Sequence, residues 1–479
     1  MDPSEFRRHG HALVEWIAEY LSGAGRYPVL PHVAPGDVRD ALPDRAPEEG
    51  EPFEDIFADF ERVLFPALTH WNHPGFFAYF PITASASGVL AEFLSAALNQ
   101  QAMLWRTSPA ATELEEVSLG WLRRLMGLPD SFEGVIYDTA SISTLHALAA
   151  AREAAVPGVR DRGLAGRNDV GPLRVYCSEH GHSSIDKAVL MLGLGQSSLR
   201  RIAADDAFSM RVDALRAAVD EDREAGITPI AVVATIGTTS TTSVDPVADI
   251  ADVCRDRRLW LHVDAAYAGV TAMLPECHVH FTGWERADSI VVNPHKWLFT
   301  PFDLSAFYCR RMDVVRQAFS IVPEYLRTTE GSRGANNLMD TGVQLGRRFR
   351  SLKLWMILRH FGAARIREVL RDHMRLAREF SDRVDEHPDF ERVAPVPFSV
   401  VCFRAKPRGI TLSASELDAF NEQLLDAVNA GGEVFLSHTR LGHMFVIRMA
   451  IGHLRTTAAH TARAWQLLCE HTAALSRSA

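Results

Sequence analysis

The chain has 479 residues, 47% of them hydrophobic and 23% charged, with a formal net charge of −10 at neutral pH. That length holds two or three domains with large apolar cores, and an acidic balance with no basic run argues against nucleic acid and anionic membrane surfaces as partners. Six cysteines (Cys177, Cys254, Cys277, Cys309, Cys402, Cys469) are scattered without a CxxC pair, which fits a reducing cytoplasm better than a disulfide framework or a zinc site.

The first residues lack the apolar core of a signal peptide, and no uninterrupted apolar run reaches membrane-spanning length. Asp2-Pro3-Ser4-Glu5 reads as a helix start, with Asp2 as N-cap, Pro3 in the first turn and Glu5 at the third position. Leu13, Trp16, Ile17, Tyr20 and Leu21 then form one helical stripe. Residues 28–52, rich in proline and acids, read as an extended connector. A second amphipathic helix carries Phe53, Ile56, Phe57, Phe60, Val63 and Leu64 on one face. Two such helices cannot bury their stripes alone, so they must pack on the rest of the chain or on a second copy. Residues 71–82, aromatic and interrupted by Pro and Gly, cannot form one helix and read either as a hydrophobic hinge or as a pocket wall.

From about Ser85 to Arg350 strands alternate with helices, the signature of a mostly parallel α/β sheet. Gly134–Tyr137 is a strand, Asp138–Thr144 a small polar turn, and Leu145–Arg152 a helix. Arg174–Cys177 is a strand, after which His180-Gly181-His182-Ser183-Ser184 opens a helix. The His-x-His pair has no third ligand at a metal-binding spacing. Ala231–Ile236 is a strand followed by a Thr-rich turn through Thr239. The glycine spacing of a dinucleotide fold is missing.

Two buried strands then carry the chemistry. Leu259–Ala266 has one acid, Asp264, at its C-terminal end, and Ser289–Val292 runs into Asn293-Pro294-His295-Lys296-Trp297. Alone, Asp264 could cap a turn and Lys296 could snorkel from a strand end. Together they suggest pyridoxal 5'-phosphate: a desolvated lysine forms a Schiff base with the aldehyde, and an acid partners the ring nitrogen. Ala265 and Ala266 are small enough for a flat ring to approach the backbone. With that pair in hand, Ala140 and Ser141 at a helix N-terminus become the phosphate cradle, and Asn293 and His295 join the cofactor-binding set. A polar Gly/Asn-rich run follows Val322-Pro323-Glu324-Tyr325-Leu326 and reads as a mobile loop. Gly346–Arg350 is basic and reads as a solvated helix start or a dimer-facing helix. The remainder is α+β, with strands at Phe398–Phe403 and Phe445–Ile451 and helices at Leu417–Val428 and Ala458–Leu468.

His-Val-Asp-Ala-Ala-Tyr-Ala-Gly (262–269) and Asn-Pro-His-Lys-Trp (293–297) resemble the group II pyridoxal-phosphate decarboxylases, above all the aromatic-L-amino-acid decarboxylases, over nearly the whole chain. The resemblance implies fold type I, with an N-terminal helical segment (1–84) wrapping a partner subunit, a large cofactor domain (85–350) and a small C-terminal domain (351–479). It implies that Lys296 holds the cofactor, that His182 stacks on one ring face opposite Ala266, that Thr239 contacts the cofactor, and that Tyr325 protonates the substrate carbon. It implies a substrate pocket of Trp71, Tyr79, Phe80, Ile82, Met103, His182 and Gly346, with Met103 reaching the neighbour's pocket; Ile82 stands where animal enzymes carry threonine. The implied reaction is decarboxylation of aromatic L-amino acids in a cytoplasmic homodimer. Alternatives are an aromatic aldehyde synthase, in which the loop tyrosine or the stacking histidine is lost, an acidic-amino-acid decarboxylase, and a non-catalytic scaffold.

Overall fold

A computed structural model describes residues 1–321 and 334–478. The chain divides into two compact units: residues 82–381 with 393–402, and residues 1–81 with 382–392 and 403–479.

The first unit is built on a seven-stranded sheet. Its strands are β1 (Glu133–Tyr137), β2 (Leu173–Ser178), β3 (Leu199–Ile202), β4 (Thr228–Thr235), β5 (Trp260–Asp264), β6 (Ser289–Val292) and β7 (Ser305–Cys309). The order is β1-β7-β6-β5-β4-β2-β3. β3, β2, β4, β5 and β6 run parallel, while β7 runs antiparallel between β6 and β1. The expected fold class, α/β of fold type I with a mostly parallel sheet, is what the chain adopts. β4, β5 and β6 are buried almost throughout, which explains their mostly apolar sequence, since a strand covered on both faces has no solvent side.

The helix Ala140–Ala155 packs against this sheet with Ala147, Leu148, Ala149, Ala150 and Ala151 all buried. Small side chains let its backbone approach the strands closely. It begins five residues before the expected Leu145, because the polar turn is itself the first helical turn. The basic run at 346–350 also departs from the solvated reading. Arg347 and Phe349 are buried, and the helix starts only at Ser351, bending at Gly362 where φ is 67°.

The second unit holds β8 (Phe390–Arg392), β10 (Ser437–Leu441) and β11 (Met444–Ala450), with long helices at Ala414–Ala430 and Ala458–Ser478. β9 (Val400–Ala405) completes a four-stranded sheet in the order β10-β11-β9-β8. The helix Pro3–Gly23 starts as expected: the Asp2 carboxylate accepts the N–H groups of Ser4 (2.6 Å) and Glu5 (2.9 Å), and Glu5 reaches back to the Asp2 N–H (2.8 Å). Trp16 packs edge-on against Phe57, Phe60 and Phe65, so the two N-terminal stripes meet each other. The second stripe is an α-helix only over Phe53–Asp59 and widens into a π-turn at Phe60–Leu64. The connector carries one short helical turn, Asp37–Asp40.

Candidate active site

β4, β5 and β6 run side by side in the same direction, so their C-terminal ends form one rim, where an open α/β sheet keeps its ligands. Asp264 ends β5, 6% exposed, and its Oδ1 accepts the N–H of Ala266 at 3.0 Å. The ladder continues past both strands: Ala265 N–H donates to Val291 O (3.0 Å) and Asn293 N–H to Ala266 O (2.9 Å). Pro294 fits the first turn of the short helix Pro294–Trp297 because it needs no N–H there. Lys296 N–H closes that turn on Asn293 O at 2.9 Å. Backbone bonds thus set Lys296 and Asp264 on adjacent strand ends.

The turn is also held from behind. Trp297 is fully buried, donates its indole N–H to Nδ1 of His373 (2.9 Å), and stacks on Tyr267 at 4.6 Å with the rings 4° from parallel. The Tyr267 hydroxyl lies 2.6 Å from Ser399 Oγ. His295, 3% exposed, accepts the Leu304 N–H on Nδ1 at 2.9 Å.

Burial pulls the Lys296 ammonium below its usual range, and the Asp264 charge opposes that pull. The net shift is toward the neutral amine, the form that attacks an aldehyde. Burial, helped by the Lys296 charge, pushes His295 down to about 3, so it is a neutral imidazole. His182 sits just before the helix Ser184–Met191, with Nδ1 accepting the Ser184 N–H at 3.1 Å. Desolvation lowers it, while Asp264 and Lys296 are near enough for their charges to act on it in opposite senses. His182 as a residue is exposed.

Among the described residues, Asn293 Oδ1 and Thr235 Oγ1 at the strand ends and Ser184 Oγ beside His182 are buried without a hydrogen-bond partner, as is Thr144 Oγ1 in the helix Ala140–Ala155. A buried polar group left unpaired costs about 1–3 kcal/mol, so such a cluster marks where a polar ligand belongs. Ala140 and Ser141 open the helix Ala140–Ala155, whose N-cap Thr139 makes no side-chain cap bond. The Ile142 and Ser143 N–H groups bond Thr139 O (3.1 Å each), which leaves those of Ala140 and Ser141 as the candidate anion site. The exposed Thr239 lies in a turn entered at Gly237, φ 90°, and fixed by Thr238, Thr241 and Ser243. An amine, an acid, a ring-sized histidine and an N-terminal anion site fit pyridoxal phosphate.

The residues expected around the substrate fall into separate groups. Met103 packs with Leu104 and Met339, and its carbonyl accepts the Met339 N–H at 3.1 Å. Gly346 lies in the segment bonded to that one, since Ala102 N–H donates to Arg347 O at 2.9 Å. A Cβ at Gly346 would meet only the Gln101 amide nitrogen, at 3.3 Å. Ile82 is half-buried at the start of the same unit. Trp71, Tyr79 and Phe80 belong to the second unit. There the Trp71 ring stacks on Phe76 (4.3 Å) and Tyr79 (6.1 Å), and Tyr79 is 55% exposed. Arg448 stands over the Phe80 ring at 5.5 Å and donates to Tyr79 O at 3.2 Å, a cation that the aromatic pattern of residues 71–82 gave no sign of. Tyr325 lies outside the described residues.

Sequence reasoning missed the supporting groups. Arg347 forms a buried pair with Glu115 at 2.7 Å, with side chains 6% and 2% exposed. His373, Ser289 and Asp245 likewise act from behind the rim. Only the position of His262, two residues before Asp264 and so on the same strand face, was readable in advance. A cavity of about 520 Å³ lies at the opposite, N-terminal ends of the central strands, beside Trp260, Asp288 and five arginines. Arg255 and Arg286 there already pair with Asp252, and none of the rim residues lines it. Among the described residues no cluster of His, Cys, Asp and Glu could hold a metal ion, and no helix is long and apolar enough to cross a membrane.

Residues 35–406 match the model of the pyridoxal-dependent decarboxylase conserved domain. The chain is similar to phenylacetaldehyde synthase of Arabidopsis thaliana, 39% identical over 99% of this chain and 97% of that protein. It is similar to tyrosine decarboxylase 3 of Petroselinum crispum, 38% identical over 99% of this chain and 93% of that one. In three dimensions it resembles Oryza sativa TDC crystallised with PLP and tryptamine, with a TM-score of 0.95 and 35% identity over 99% of each chain.

Proposed function

The chain belongs to the pyridoxal-dependent decarboxylases, and on that premise we propose that it converts aromatic L-amino acids to arylethylamines and carbon dioxide, a proton replacing the carboxylate. The observation that carries the chemistry is the Lys296 amine, desolvated and held beside Asp264 on adjacent strand ends. Support for aromatic substrates comes from the relatives, named for tyrosine and phenylacetaldehyde, and from the aromatic run that contains Trp71, Tyr79 and Phe80.

Bound at this rim, pyridoxal phosphate supplies an aldehyde that captures amino groups and a ring that takes up the electron pair left by carbon dioxide. Lys296 would hold the aldehyde and would yield it to the substrate amine. Asp264 would partner the ring nitrogen, and the small Ala266 would leave room for a flat ring beside the backbone. His182 would lie against the ring and restrict how the substrate is oriented. Fixing that geometry contributes several kcal/mol to lowering the barrier. The N–H groups of Ala140 and Ser141 hold the phosphate, with Thr239, Asn293 and His295 as further contacts. Tyr325 delivers the proton to the substrate carbon.

The second reading, an aldehyde synthase consuming oxygen and water and releasing aldehyde, carbon dioxide, ammonia and hydrogen peroxide, is favoured by the likeness to phenylacetaldehyde synthase. The retained Tyr325 and His182 favour the amine. An exposed apolar stripe on the helix Ala86–Leu98 (Leu90, Phe93, Leu94 and Leu98, each at least 45% exposed) supports a homodimer. Free thiols at all six cysteines support a cytoplasmic location. The test is product analysis of the purified holoenzyme on dopa, tyrosine, phenylalanine, tryptophan, histidine and glutamate, with light scattering for the dimer. Amine without peroxide is expected from the aromatic substrates, and Lys296→Ala abolishes both the product and the visible absorbance of the bound cofactor. Aldehyde with stoichiometric peroxide establishes the second reading, and preferred turnover of glutamate overturns both.

A further inference from the structure

Trp260, His262 and Asp264 alternate along β5, so their side chains share one face of the sheet. In register beside them on that face stand Ser289 of β6, opposite His262, and Thr235 of β4, opposite Asp264. His262 is fully buried. Its Nδ1 lies 2.9 Å from Ser289 Oγ, and the same oxygen receives the Trp260 indole N–H at 2.9 Å. Trp260 can only donate there. The one hydroxyl proton of Ser289 is then satisfied by pointing it at His262 Nδ1. In that arrangement Nδ1 accepts and Nε2 carries the hydrogen. Burial, opposed by the Asp264 charge, pushes His262 down to about 4, so the ring is neutral.

Among the described residues His262 Nε2 has no hydrogen-bond partner although it is buried, and the same is true of Thr235 Oγ1 beside Asp264. Two orphaned groups therefore border one carboxylate. Residues two apart on a strand are about 6.7 Å apart, a span that an imidazole and a carboxylate cover directly or through one water.

We propose that His262 is a positioning residue for Asp264: Trp260 and Ser289 lock its tautomer so that the Nε2–H steadies the Asp264 carboxylate against the ring nitrogen of the cofactor. This rests on the reading of Asp264 given above. His262 does not touch the reacting atoms. It acts by holding the group that does, and Thr235 supplies a second hydroxyl on the same side.

The experiment compares His262→Phe, His262→Gln, Ser289→Ala and Asp264→Asn as holoenzymes. The readouts are the dissociation constant for pyridoxal phosphate, the pH midpoint of the cofactor's visible band, kcat and KM. His262→Phe keeps a ring and removes the donor. It is expected to weaken cofactor binding at least about tenfold, the size of one hydrogen bond to a charged group, and to move the midpoint. kcat falls while KM changes less than about twofold, because the substrate loses no direct contact. His262→Gln, whose amide nitrogen falls near the lost Nε2, should restore binding to within about threefold of the unmodified protein. Ser289→Ala frees the tautomer and should move the midpoint the same way, and it decides the matter if His262→Phe does not fold. A lower Tm with unchanged cofactor affinity and midpoint in both His262→Phe and Ser289→Ala makes His262 merely structural and overturns the inference. If Asp264→Asn alone disturbs the band, only this inference fails. If Asp264→Asn leaves it untouched, the reading of Asp264 fails with it.

Discussion

Replacing Arg347 by methionine should cost this protein more than any surface change, and the structure sets the size. The Arg347 guanidinium gives one N–H to Glu115 Oε1 (2.7 Å) and another to Ile136 O (2.7 Å), while Glu115 Oε1 also accepts the Ile136 N–H (2.8 Å). Both side chains are more than nine-tenths buried. Methionine fills much of the space but leaves Glu115 with one backbone donor and Ile136 O without its guanidinium. Stranding a buried charge in this way costs about 3–5 kcal/mol. At roughly 2 °C per kcal/mol for a large domain, Tm falls by about 6–10 °C. Differential scanning calorimetry on the holoenzyme measures it. Adding Glu115→Gln to Arg347→Met removes the stranded charge and should recover about half of the loss, so the two changes are strongly non-additive. The strain also reaches function: Arg347 N–H donates to Gln101 Oε1 (2.7 Å) and its carbonyl accepts from Ala102, so the Met103 segment loosens and substrate KM rises. A drop below about 2 °C, or additive losses in the double variant, refutes the account of a buried and mutually dependent pair.

Asp245, buried and pushed up to about 6 by desolvation, makes stability pH-dependent. Its folded pKa exceeds the unfolded one, so its contribution is full below the unfolded value near 3.8 and is lost as pH rises through about 6; the stability of the unmodified protein over Asp245→Asn should grow by about 2–3 kcal/mol between pH 7 and pH 4. Tyr325→Phe should lower amine output at least about tenfold, the ordinary scale of general-acid catalysis, with aldehyde and peroxide appearing in its place. Gly346→Ser should fold normally, since its Cβ meets only the flexible Gln101 amide, and should lower kcat/KM for tryptophan about tenfold more than for tyrosine, because the added side chain takes space that the larger indole needs; equal losses on both substrates would remove Gly346 from the pocket.

The strands at the rim were readable because their sequence carries the signal at short range. Ser289–Val292 and Trp260–Asp264 are β-branched or apolar runs ended by a turn or an acid, and burial on both faces demands that composition. β3 and β7 were not foreseen. Leu199–Ile202 carries Arg200 and Arg201 at a sheet edge, and Ser305–Cys309 runs against its neighbours, a direction that no local pattern encodes. The helix at Ala140 was placed late for a related reason. Its first turn is serine and threonine, residues that favour turns in isolation, and it is the packing of the alanines behind it that pulls the turn into the helix.

The chemistry was legible wherever one residue type at one strand end is enough: an amine after β6, an acid after β5. What no linear pattern contains is how each is held. The indole of Trp297 needs His373, 76 residues away, and Trp260 and His262 need Ser289 on the neighbouring strand. These partners are ordinary residues whose meaning comes from register, and register is set by a sheet of seven strands rather than by any one of them. A lysine and an aspartate in sequence therefore mark the two strand ends on which the proposed chemistry rests. The protonation states that let the reaction run depend on buried hydroxyls and imidazoles with single available partners, which is why an orphaned nitrogen on His262 says more about Asp264 than the motif that contains them both.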